Sequence, residues 1–142
     1  MGGADRLRGV SKLEEIFWKD KTLAQLIRAQ DQPSQTAFLT PTDLSQQVGF
    51  VVYAKGGEIK RHLHRQLERH LVGTSEVLVV RQGRCEIDLY NDAKELVATR
   101  ELCAGDIVLL VGGGHGIRML EDTVFLEVKL GPYIGPEEKE LF

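Results

Sequence analysis

The stretch from Ser75 to Tyr90, SEVLVVRQGRCEIDLY, decides the fold class. Two short aliphatic runs, Glu76–Val80 and Cys85–Leu89, are separated by Gln82-Gly83. Runs of this length bounded by turn residues suit strands and fall short of a helix. In a strand, alternate side chains share a face, so an inward row of Leu78 and Val80 carries Glu76 inward with it. The pattern continues downstream. RCEIDLY ends at Asn91-Asp92, ELVATREL leads to Ala104-Gly105-Asp106, and IVLLV runs into Gly112–Gly114. HGIRML turns at Glu121-Asp122 into VFLEVKL. Upstream, GFVVYAK ends at Gly56-Gly57 and EIKRHLH follows. About eight strands at this spacing predict an all-β sandwich or barrel, and short antiparallel strands favour a small jelly roll.

The first 37 residues read differently. In SKLEEIFWKDKTLAQLIRAQ, Leu13, Ile16, Phe17, Leu23, Leu26 and Ile27 fall at helix-like spacing, and Ser11 with Glu14 resembles a capping box. The expectation is an N-terminal helical segment over 1–37, in one piece or broken near Asp20-Lys21, packed on a β-domain over 38–142.

A chain of 142 residues is long enough for one domain with its own core. A net charge of -3 argues against general nucleic-acid binding. No apolar run approaches the roughly 20 residues of a membrane helix. The start, MGGADRLRGV, lacks the apolar segment of a secretory signal, which places the chain in the cytoplasm. Cys85 and Cys103 form no CxxC and read as reduced thiols.

Histidine is scarce, with four in the chain: His62, His64, His70 and His115. In a strand His62 and His64 would project from one face, roughly 6.6 Å apart along the strand, close enough to share an ion. Two ligands are too few for a metal site. His115 follows Gly112-Gly113-Gly114, where absent side chains let the backbone approach a ligand or a neighbouring strand.

Gly56, five residues, His62-x-His64, a later glutamate and Gly83 resemble the first motif of the cupin superfamily. Gly105-Asp106, an apolar strand, a glycine turn and His115 resemble the second. The resemblance covers roughly residues 48–130. It implies a single cupin-type jelly-roll β-barrel holding one divalent transition metal (Fe, Mn, Ni, Co, Cu or Zn) through His62, His64, His115 and an acid. Two acids compete, because the family's spacing from the histidines selects Glu68 and its spacing to the turn glycine selects Glu76. Strand direction favours Glu76, whereas Glu68 lies between Arg65 and Arg69 as in a surface ion pair. The stretches GTSEVLVVRQG and FLEVKLGPYIG also resemble small bacterial cupins associated with polysaccharide synthesis.

For the last strand, default alternation buries Leu126, Val128 and Leu130 and leaves Glu127 and Lys129 in water. The alternative turns Glu127 and Lys129 inward. Inward His62, His64 and Glu76 would leave Ile59, Leu63, Val77 and Val79 facing out, and a homodimer would cover such residues. Between Lys55 and His70, five basic residues stand against two acids, a solvated face or a cationic rim for an anionic ligand. Candidate substrate-binding residues are Arg69, Arg118, Lys129 and Tyr133, with Glu127 and His70 as candidate catalytic groups. The resulting expectation is a metal-dependent enzyme on a small polar or anionic, carbohydrate-like substrate, an isomerase, epimerase or oxygenase. The alternative is a non-catalytic module that binds such a ligand.

Overall fold

In a computed structural model of the protein, residues 13–142 are described. Ten strands follow in order: β1 (Leu13–Trp18), β2 (Lys21–Ile27), β3 (Ala37–Phe38), β4 (Gly49–Phe50), β5 (Glu76–Gln82), β6 (Arg84–Tyr90), β7 (Leu96–Cys103), β8 (Ile107–Leu110), β9 (Gly114–Met119) and β10 (Val124–Lys129). A single 3-10 turn spans Pro136–Glu138. The described residues are all-β, as expected, and contain no helix long and apolar enough to cross a membrane. They fall into two compact units, one of residues 31–73 and one of residues 13–30 with 74–142.

The larger unit contains a five-stranded sheet, β1-β2-β8-β5-β10, and a three-stranded sheet, β7-β6-β9, antiparallel throughout. Both sheets contribute inward residues to one core. Ile16, Ala24, Leu26, Leu78, Val80, Val108 and Leu110 come from the first, and Cys85, Ile87, Leu89 and Leu102 from the second. Each fully buried aliphatic side chain of this kind contributes about 1.5–3 kcal/mol through removal from water.

The turn glycine of the opening stretch is a corner between layers. β5 belongs to the first sheet and β6 to the second, so the chain changes sheets at Gly83 instead of making a hairpin. Gly83 adopts φ 89°, and a Cβ there would lie 2.1 Å from the Asp122 carbonyl oxygen, so both conformation and space require glycine. The chain changes sheets again between β7 and β8, between β8 and β9, and between β9 and β10. Each crossing falls on a turn signal read from the sequence.

The expected N-terminal helix is corrected over Leu13–Ile27, where the chain forms the antiparallel pair β1–β2; residues 1–12, including Ser11, lie outside the described residues. Trp18 pairs with Lys21 across a two-residue turn in which Lys19 takes φ 55°. A bulge places Leu23 between the pairs Ile16–Ala24 and Phe17–Thr22. β2 lies between β1 and β8, and its consecutive residues Leu23 to Ile27 are all buried. A strand covered on both faces shows no period of two, and such a strand joined by a tight turn to β1, whose apolar residues do not alternate, imitates helical spacing.

In the smaller unit, β3 and β4 form a two-residue ladder, tied by Thr36 and Val52 and by Thr40 and Gln47. EIKRHLH, expected as a strand, joins no ladder, and Val52 alone is half-buried in 51–72.

Candidate functional site

The two halves of the expected metal motif lie in different units. His62 and His64 belong to residues 31–73, and Glu76 and His115 to the larger unit. The rings of His62 and His64 lie side by side, with centroids 5.2 Å apart and planes at 75°. His62 Nδ1 lies 2.8 Å from the Lys60 carbonyl oxygen. A carbonyl only accepts, so Nδ1 carries the proton and a neutral ring presents its lone pair at Nε2, which is how a ligating histidine is held. Glu68, Arg69 and His70 are exposed in the same unit.

In the larger unit, Glu76 opens β5 on the face of Leu78 and Val80, as strand alternation predicts. His115 stands opposite Leu89 of β6, whose side chain belongs to the core, so its ring faces the same interior from the other sheet. The two meet with His115 Nε2 3.6 Å from Glu76 Oε2. They line a cleft of about 530 Å³ together with Asn91, Lys94, the backbone of Gly112–Gly114, and Phe142. Burial holds the proton affinity of His115 below the ordinary histidine range. The Glu76 carboxylate opposes that effect, Lys139 adds to it, and Glu127 opposes it again. The ring is therefore neutral near pH 7, the form that offers a lone pair.

Glu127, itself exposed, pairs with Leu78, and half-buried Lys129 pairs with Glu76. Phe125 packs on the core, and Glu127 and Lys129 follow on its face of β10. Leu126 and Val128, which default alternation would bury, are 51% and 49% exposed. The Lys129 ammonium lies 4.9 Å from the Tyr133 ring centre, a cation–π contact.

Arg118 points away from this cleft. It lies three residues after His115 in β9, on the opposite face, and donates to the carboxylates of Asp88 (2.6 Å) and Glu86. Asp88 also accepts from the Thr99 hydroxyl at 2.6 Å, and these bonds, Thr99 first, hold its carboxyl below the usual range. Through Asp88 and Glu86 the guanidinium links β9 to β6 and, by way of Thr99, to β7.

Among the described residues, no three His, Cys, Asp or Glu side chains are grouped so as to hold a metal ion. The donors fit one in pairs. A separation of 3.6 Å between His115 Nε2 and Glu76 Oε2 is one that two donors can span on a single ion with bonds of about 2.0–2.2 Å. Sequence reasoning missed Asn91, Lys94, Lys139 and Phe142 as neighbours of this pair. Asn91 and Lys94 belong to a turn, and PEEKELF carries no periodicity, so nothing in the sequence marks them. Comparison with protein-family models, curated proteins and solved structures found no match to the chain.

Proposed function

We propose that the protein is a metal-binding member of the cupin type, with the two sheets of its larger unit forming a jelly-roll barrel around a ligand site. The proposed donors are His62, His64, Glu76 and His115, and the proposed ion is a divalent transition metal. The observation that carries this reading is the meeting of Glu76 and His115. Two residues picked from separate sequence motifs approach from two different sheets and line one cleft. Glu76 rather than Glu68 is the acid of choice, because it is largely buried beside His115 whereas Glu68 is exposed.

The proposed activity is that of an enzyme on a small polar or anionic substrate, an isomerase, epimerase or oxygenase. A bound metal would polarise a carbonyl or phosphoryl oxygen, or bind O₂ if it were iron. The chain's own contribution is a neutral His115 ring and, at Glu127, a carboxylate near enough to His115 to act on its proton affinity and available to accept a proton. Lys129 and Tyr133 form a cationic and aromatic pair suited to an anionic or sugar-like ligand. The exposed outer residues Val124, Leu126 and Val128 of β10, an edge strand, support a homodimer.

Elemental analysis of protein purified without chelator tests the reading. About one equivalent of a transition metal is expected in the wild type and well below that in His115→Ala. Wild-type protein that neither carries a metal nor takes one up would remove the metal from the account.

A further inference from the structure

β10 ends the five-stranded sheet, and among the described residues it pairs with β5 alone. In an antiparallel ladder each residue turns both its N–H and its C=O to one side, and successive residues alternate. Leu130 N–H donates to the carbonyl of Ser75, just before β5. Val128 and Leu126 therefore turn their main-chain groups toward β5, and Phe125, Glu127 and Lys129 turn theirs to the open edge. The β5 side agrees, because Val80, opposite Phe125, bonds through both its N–H and its C=O to Asp106 and Gly105, on the side away from β10. On the outer face, Val124, Leu126 and Val128 are about half exposed beside half-buried Val77 and Val79. An open edge with an apolar face is a template for another strand. Among the described residues, neither Glu127 nor Lys129 forms an ion pair.

We propose that two copies of this chain join by antiparallel pairing of β10 with β10 about a two-fold axis through Val128, so that Glu127 of each copy stands opposite the partner's Lys129. Residues directly opposite each other must both face the shared edge or both face away, so the axis passes through a residue. Through Glu127 it would oppose two carboxylates, through Lys129 two ammonium groups, and through Leu126 it would set Glu127 against Phe125. Through Val128, Glu127 and the partner's Lys129 both face the shared edge and exchange both N–H···O bonds. Their side chains then carry opposite charges across the strands, a stabilising pair. On the outer face, Val128 meets the partner's Val128 and Leu126 meets the partner's Leu130, which joins the two apolar faces into one. An edge lysine blocks pairing where it meets no opposite charge, and this register supplies one. Glu127 also bears on His115, so each copy would bring a cation near the surroundings of the other's ring. The pairing rests on the homodimer proposed above and fixes the strand, the register and the side chains through which it forms.

Sedimentation velocity of the full chain over a dilution series tests it. The wild type should be dimeric. Glu127→Lys and Lys129→Glu each set like charges opposite one another twice, and each should raise the dimer Kd by at least about tenfold. Mixed in equal amounts, the two variants should form a heterodimer of near wild-type stability, since every opposing pair is again of unlike sign. That rescue also shows that both variants fold. Variants that stay monomeric on mixing would overturn the pairing. So would single variants that dimerise like the wild type, which would leave a dimer through another surface standing. A monomeric wild type would overturn both the pairing and the homodimer, and slow exchange of the Glu127 and Lys129 amides in that monomer would show that another segment of the chain holds the edge. Metal content is measured separately and does not depend on any of these outcomes.

Discussion

His115 is the residue on which sheet geometry, burial and electrostatics converge. Burial disfavours its imidazolium, and the nearby Glu76 carboxylate only partly offsets that cost. As pH falls, the unfolded chain takes up the proton first, near the ordinary histidine value of about 6.5. The stabilising contribution of the neutral ring is therefore full above that pH and lost as pH falls below it. Urea unfolding in chelator should show wild-type stability dropping more between pH 7.5 and 5.5 than that of His115→Gln; parallel curves would contradict the environment assigned to the ring. The placement of Glu76 was legible in the sequence, because strand parity ties it to Leu78 and Val80. Arg118 was not. Its closeness to His115 in sequence suggested a shared site, but three residues along a strand reverse the face, and Asp88 and Glu86 take its donors.

At the scale of the element, β5 to β10 were legible because each has clear turn residues at both ends. The β7–β8 turn shows what such residues do. Asp106 is buried, and its carboxylate accepts from the backbone N–H groups of Ala29 and Cys103, each at 2.8 Å, and from Arg28 at 3.1 Å. One side chain thus ties the end of β2 to the corner between the sheets. Asp106→Ala would leave these donors without their acceptor and should lower stability by about 1–3 kcal/mol in denaturant unfolding. A variant as stable as wild type would show that the corner is held by other bonds. β2 was misread because its consecutive buried residues, Leu23 to Ile27, erase the period of two, and β1 because its apolar residues Leu13, Ile16 and Phe17 do not alternate. EIKRHLH was misread for the opposite reason: its alternation is present, but no neighbouring strand pairs with it. The rings of His62 and His64 nevertheless lie side by side, 5.2 Å apart, without a strand to hold them.

For the whole molecule, the sequence led to about eight strands where the described residues form ten, and it did not show which sheet each joins. That assignment depends on contacts between residues far apart, as when β2 inserts between β1 and β8. The same limit hid the contacts of Tyr90 with Phe142 and of Lys94 with Glu140, since Phe142 and Glu140 come from a stretch with no pattern of its own. The proposed metal has Glu76 and His115 as its donors in the larger unit, and His62 and His64 are the donors that the sequence motif adds. The most direct measurement is histidine-ring NMR with selectively ¹⁵N-labelled imidazoles during titration with Zn²⁺, which is diamagnetic and accepts nitrogen and carboxylate donors. The prediction is that ring nitrogens of His62, His64 and His115 move together and stop at about one equivalent, while His70 stays in place. A titration in which His115 does not respond, or in which His70 responds with the others, would contradict it.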